Sequence, residues 1–106
     1  MTINILGQDY DFQEIAAKED MRMADMNGYC DPYSKVIRVD NDFNENHPSS
    51  ISDFKAFKEK VIRHEIIHAF FAEAGMREYT ENELLVGWIA TQFPKMLKVF
   101  HQVGAL

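Results

Sequence analysis

His64-Glu65-Ile66-Ile67-His68 is the segment whose residue types and spacing can do chemistry. Residues four apart on a helix share a face, with Cβ atoms about 5–6 Å apart. Two imidazoles at that spacing can hold one divalent ion from the same side, at about 2.0–2.1 Å if the ion is zinc. Glu65 points about 100° further round the helix and need not ligate. It can instead reach a water beside the ion and take its proton. Two hydrogen-bonded structural histidines are the competing reading. Both imidazoles, however, fall on a stripe of apolar residues, where unpaired rings incur a desolvation cost. One metal ion satisfies both.

A catalytic zinc takes three protein ligands and keeps one open position. The next helical segment offers Glu81 and Glu83. Glu83 has a competing task, because Thr80-Glu81-Asn82-Glu83 reads as a capping box. Yet Glu83, Gly87, Ala90 and Pro94 form a narrow row, small at two positions, that lets a second helix approach closely. Glu81 shares its side with Leu84, Leu85 and Trp88, a face that reads as core against a sheet. Glu83 is therefore the favoured third ligand, for one zinc per chain. His47, in a loop, and His101, near the terminus, are weaker candidates.

The elements that must position these residues change character midway. Ile3 and Ile5 alternate with polar neighbours, Gly7-Gln8 fits a hairpin turn, and Tyr10, Phe12 and Ile15 resume the alternation. The stretch 16–27 fits either a short helix or a loose connection. A second hairpin is expected over 26–40, turning at Asp31-Pro32-Tyr33-Ser34 and returning along the β-branched Val36–Val39. From Ser50, with Asp53 as capping partner, Phe54, Phe57, Val61, His64, His68 and Phe71 recur at helical spacing until Gly75 stops the helix. Apolar residues on its other sides make this helix an internal one. A last helix starts at Thr80 and is kinked at Pro94. The expected fold is α+β in a single domain: 1–40 mainly β, 50–75 the active-site helix, 80–103 the C-terminal helix. The sheet is expected to be small and antiparallel, made of two hairpins and packed on the internal helix. Phe54, Phe57, Phe70, Phe71, Trp88, Phe93 and Phe100 read as core.

Composition narrows the partners. The chain has 106 residues, enough for one core, and 46% of them are hydrophobic, which excludes wholesale disorder. Seventeen acidic against eleven basic side chains give a net charge of −6, which argues against nucleic acid. No apolar run is long enough to span a membrane, so a soluble protein is expected. With no secretory signal and Cys30 as the one cysteine, a cytoplasmic setting fits, and Cys30 itself reads as a small buried hydrophobe.

His64-Glu65-Ile66-Ile67-His68 followed by Asn82-Glu83 resembles the gluzincin branch of zinc metallopeptidases, whose second helix carries the third ligand. Gly28-Tyr29-Cys30-Asp31, the Arg63–Phe70 run, and Glu83 through Trp88-Ile89-Ala90 to Gln92-Phe93-Pro94-Lys95 are similar to small zincin-like proteins of bacterial phages and prophages. The likeness spans residues 28–106. It implies zinc ligation by His64, His68 and Glu83, a general base in Glu65, a protein or peptide substrate, and a bacterial host cytoplasm. Gly87 stands where the branch has an Asp that holds a ligand histidine. Tyr79, Tyr29 and His101 are candidate donors to the transition state. Val36–Val39 is a candidate free edge for an extended peptide. The alternative reading is a non-catalytic metal-binding or protein-interaction domain on the same scaffold.

Overall fold

The computed structural model describes residues 1–41 and 53–106. Two hairpins form first. β1 (Thr2–Ile5) and β2 (Gln8–Ile15) pair antiparallel around Leu6-Gly7, both at positive φ (50° and 92°), and the Asn4 side chain accepts from the Gly7 amide. A two-residue turn with both φ values positive has the twist of a hairpin, so the turn sits one residue earlier than the Gly7-Gln8 expected. β3 (Gly28–Asp31) and β4 (Val36–Asp40) pair antiparallel around a turn in which Asp31 Oδ1 accepts from the Tyr33 and Ser34 amides. Between the hairpins, residues 16–27 form two short 3-10 turns, Ala17–Glu19 and Met21–Met23.

The four strands make one mixed sheet in the order β1-β2-β4-β3, with β2 and β4 parallel. This corrects the antiparallel sheet read from the sequence. The connection after β2 carries the chain past the sheet, so the second hairpin returns with β4 running alongside β2. Val36–Val39 is thus an inner strand with a partner on each side, not a free edge. Among the described residues the edges are β1 and β3.

Tyr10, Ile37 and Val39 are fully buried between the sheet and helix α1 (Phe54–Glu73), against Val61 and Ala69 of that helix. Asp53 caps α1 by accepting from the Ala56 amide; Ser50 and His47 lie outside the described residues. The helix stops as expected at Gly75, at φ 74°, where Gly75 and Met76 donate to Ala72 and Phe71. A single helical turn, α2 (Arg77–Thr80), leads into α3 (Glu83–Gln102), which packs on the opposite side of α1. α3 is capped by Asn82, whose side chain accepts from the Leu85 amide, so it begins three residues after the Thr80 start expected.

α3 runs through Pro94 without ending. Proline has no amide proton, so the carbonyl of Ala90, four residues earlier, loses its helical donor. Arg63 Nε of α1 donates to that carbonyl at 2.7 Å. Ala90 is fully buried, so this bond both satisfies an interior acceptor and ties α3 to α1 one residue before His64.

The aromatic residues are only partly core. Phe54 and Phe57 pack against it, whereas Phe70, Trp88, Phe93 and Phe100 are 43%, 54%, 42% and 39% exposed. The face of α3 expected against the sheet points to solvent instead, because α3 packs on α1 and Leu84 is 85% exposed. No helix among the described residues is long and apolar enough to cross a membrane.

Candidate metal centre

His64 and His68, one turn apart on α1, turn their Nε2 atoms toward each other at 3.2 Å. Glu83, the first residue of α3, reaches between them: Oε2 lies 3.0 Å from His64 Nε2 and Oε1 2.8 Å from His68 Nε2. The three side chains form a group able to hold a metal ion, with ligand atoms all within 4.8 Å of one another. Two nitrogens bonded at 2.0–2.1 Å to one tetrahedral ion would stand about 3.3 Å apart, so the spacing fits the donor set. The antiparallel packing of α3 on α1 sets this meeting: the same two helices that join at Arg63 and Ala90 join here at His68 and Glu83.

Glu81 is not part of the group. It follows α2 as its C-terminal cap and pairs with Arg77 at 3.3 Å, outside α3 altogether. His101 lies in the last turn of α3, 18 residues beyond Glu83, or about 27 Å along a helix axis. It is neither a ligand nor a donor to this site.

Glu65 is 8% exposed and lines the same cleft as the three ligand candidates. Burial, followed by the nearby Glu83 carboxylate, raises its pKa to about 7. The sheet comes close here. A Cβ added to Gly28 of β3 would stand 2.9 Å from the Arg38 carbonyl oxygen, 3.3 Å from Val61 and 3.4 Å from Glu65 Cγ. Glycine at 28 is what lets β3 lie against the Glu65 side of α1. Cys30, two residues on, also lines the cleft and is half-buried where a buried residue was expected; burial first, then the Glu65 carboxylate, pushes its thiol up to about 12.

The cleft encloses about 860 Å³ and is walled by β3, the turn after it, and α1 to α3. Its far end is pinned by Glu73, which accepts from Lys35 Nζ at 2.6 Å and from the buried Tyr10 hydroxyl at 2.6 Å. The Tyr33 hydroxyl there accepts from Arg77 at 3.0 Å, joining the hairpin turn to α2. Of the three expected donors, Tyr29 lines the cleft but spends its hydroxyl on Asp20 at 2.6 Å, while the Tyr79 ring lies tilted against Phe71, 5.7 Å between centroids.

Thr80 carries the largest correction. It ends α2, and its hydroxyl donates to the His68 carbonyl at 3.0 Å and lies 3.2 Å from His68 Nδ1. The capping-box pattern that named Thr80 hid this contact, since Asn82 caps α3 in its place. Gly87, where the resemblance led one to look for a carboxylate, has nothing within 4 Å of an added Cβ. His64 Nδ1 has no hydrogen-bond partner among the described residues. No family model matches the chain, and no curated protein or solved structure matches it either.

Proposed function

We propose that this protein is a zinc-dependent peptidase of the zincin type, hydrolysing a peptide bond in a protein or peptide. One observation carries the reading: the Nε2 atoms of His64 and His68 converge with the Glu83 carboxylate at 2.8–3.2 Å, beside a carboxylate, Glu65, that faces the same cleft. His64, His68 and Glu83 are the residues that would hold zinc, one per chain. Zinc bound there supplies Lewis acidity toward a carbonyl oxygen and toward water.

The remaining steps belong to the chain. Glu65 takes a proton from the attacking water onto its carboxylate and returns it to the leaving nitrogen. Its near-buried setting keeps bulk water from competing for that proton. β3 forms the wall of the cleft and is an edge strand among the described residues, so an extended peptide can lie along it as an added strand. The likeness to small phage and prophage zincins further supports a role in the cytoplasm of a bacterial host.

A second reading, a metal-binding or protein-interaction domain without turnover, draws on His64 Nδ1, which has no hydrogen-bond partner among the described residues, and on Gly87, which has no side chain that could supply one; both favour weak metal retention. Glu65→Gln separates the two. It keeps volume and polarity but cannot accept the proton. With zinc occupancy measured and equal, hydrolysis of a diverse peptide library should fall by about 10²–10⁴-fold. No cleavage above background by either protein would leave only the non-catalytic reading.

A further inference from the structure

We infer that Thr80 is a positioning residue for His68, fixing the ring with its proton on Nδ1 and its lone pair on Nε2. The inference rests on the proposed metal site and deepens it. A threonine hydroxyl has one proton, and Thr80 gives that proton to the His68 carbonyl at 3.0 Å. Toward His68 Nδ1, at 3.2 Å, the same oxygen can then only accept. That contact calls for a proton on Nδ1. The neutral ring then has its lone pair on Nε2, the atom that faces His64 Nε2 and Glu83; without a metal the Glu83 carboxylate, an acceptor 2.8 Å away, competes by drawing a proton to Nε2.

The ring is thereby held from behind in the tautomer a metal needs, by a hydroxyl supplied from the turn joining the two ligand-bearing helices. A carboxylate is the commoner partner for such a ring nitrogen, but among the described residues the carboxylate in contact with the His68 ring is Glu83, on the other side. Because Thr80 bonds both the ring and the carbonyl of one residue, it fixes the ring's rotation as well as its tautomer. Among the described residues the other polar and ring contacts of His68 are with His64, at 4.8 Å between centroids, and Glu83, and both are made on the Nε2 side.

The test uses the full chain with Thr80→Val, which removes the hydroxyl at nearly constant shape, and Thr80→Ser, which restores it. Zinc affinity, read by competition with a chromophoric chelator, should fall about tenfold in Thr80→Val, the low end of the range for such partners because a neutral hydroxyl holds a ring less strongly than a carboxylate. Thr80→Ser should stay within about threefold of the parent. Long-range proton–nitrogen NMR of metal-free Glu83→Ala, which removes the carboxylate 2.8 Å from Nε2 that would draw a proton there, should show the His68 proton on Nδ1, with a smaller Nδ1-bound share once Thr80→Val is added. A neutral His68 carrying its proton on Nε2 in metal-free Glu83→Ala overturns the inference, as does a Thr80→Val affinity within about twofold of the parent. If Thr80→Val fails to fold, the Glu83→Ala spectrum and Thr80→Ser still decide. A parent that takes up no zinc defeats the proposed function, whereas the metal-free spectrum judges Thr80 separately.

Discussion

The bond from Arg63 to Ala90 makes a prediction that can be sized from the structure. Ala90 is fully buried, and its carbonyl has no helical donor because residue 94 is proline. Arg63→Met keeps most of the aliphatic length but removes the 2.7 Å charge-assisted bond. The carbonyl is then orphaned in the interior, at a cost of about 1.5–3 kcal/mol. Pro94→Ala supplies the missing amide, so the same Arg63→Met change made in that background should cost only about 0.5–1 kcal/mol. The expected coupling is about 1–2 kcal/mol, well above the roughly 0.3–0.5 kcal/mol scatter of independent sites. Urea unfolding of the four proteins, with chelator present so that metal binding adds nothing, measures it. For a domain of this size about 1 kcal/mol moves Tm by roughly 4–8 °C, so thermal melts give a second reading. Additive effects within 0.5 kcal/mol would show that Arg63 contributes through bulk packing and not through the carbonyl that Pro94 exposes.

Two further outcomes follow from the site and the cleft. Glu83→Gln should lower zinc affinity by more than about 100-fold, since it removes a ligand and not merely a ligand's partner, whereas Glu81→Gln should change it less than twofold; equal losses in chelator competition would place both carboxylates at the metal. The Lys35 ammonium, then the Tyr10 hydroxyl, holds the Glu73 carboxyl below its ordinary value of 4.5. Its contribution to stability is therefore present above pH 4.5 and lost as pH falls through the lower folded-state value. Lys35→Met should flatten the acid limb of a stability–pH profile measured by urea midpoints below about pH 4.5, leaving the limb set by Asp11, Asp20 and Asp31. An unchanged profile would mean that the pair is fully screened.

What could be read from the sequence was what is local. The i, i+4 histidines, the Gly75 stop and the Asp31-Pro32 turn each depend on a few adjacent residues, and the structure contains all three. Strand alternation located β2 and β4 but carries no information about which strand pairs with which. The parallel contact between them is set by the path of residues 16–27, whose pattern is weak. The exposed Trp88 and Leu84 fail for a related reason. Helical spacing tells which residues share a face, not whether anything covers that face. Thr80 was misread because two good N-cap residues, Thr80 and Asn82, stand two positions apart, and a capping pattern cannot choose between them. Only the approach of His68 from a helix 12 residues earlier decides which hydroxyl is needed elsewhere.

The small-residue row that favoured Glu83 is half explained. Ala90 is fully buried at the contact with α1, and a larger side chain there would push the helices apart. Gly87 is different: an added Cβ meets nothing, so packing does not demand glycine at that position. His68 has contacts at both ring nitrogens, Thr80 at Nδ1 and Glu83 at Nε2, whereas the contacts of His64 among the described residues are at Nε2 alone. The exposures run the same way, with the His64 side chain at 25% and that of His68 at 14%. The two histidines of the motif are thus unequal partners: His68 is preset by the turn that joins the helices, and His64 depends on Glu83 and on whatever both of them bind. Loss of Glu83 should therefore release His64 first, because the other side chain that contacts its ring among the described residues is His68, whose own ring has Thr80 behind it.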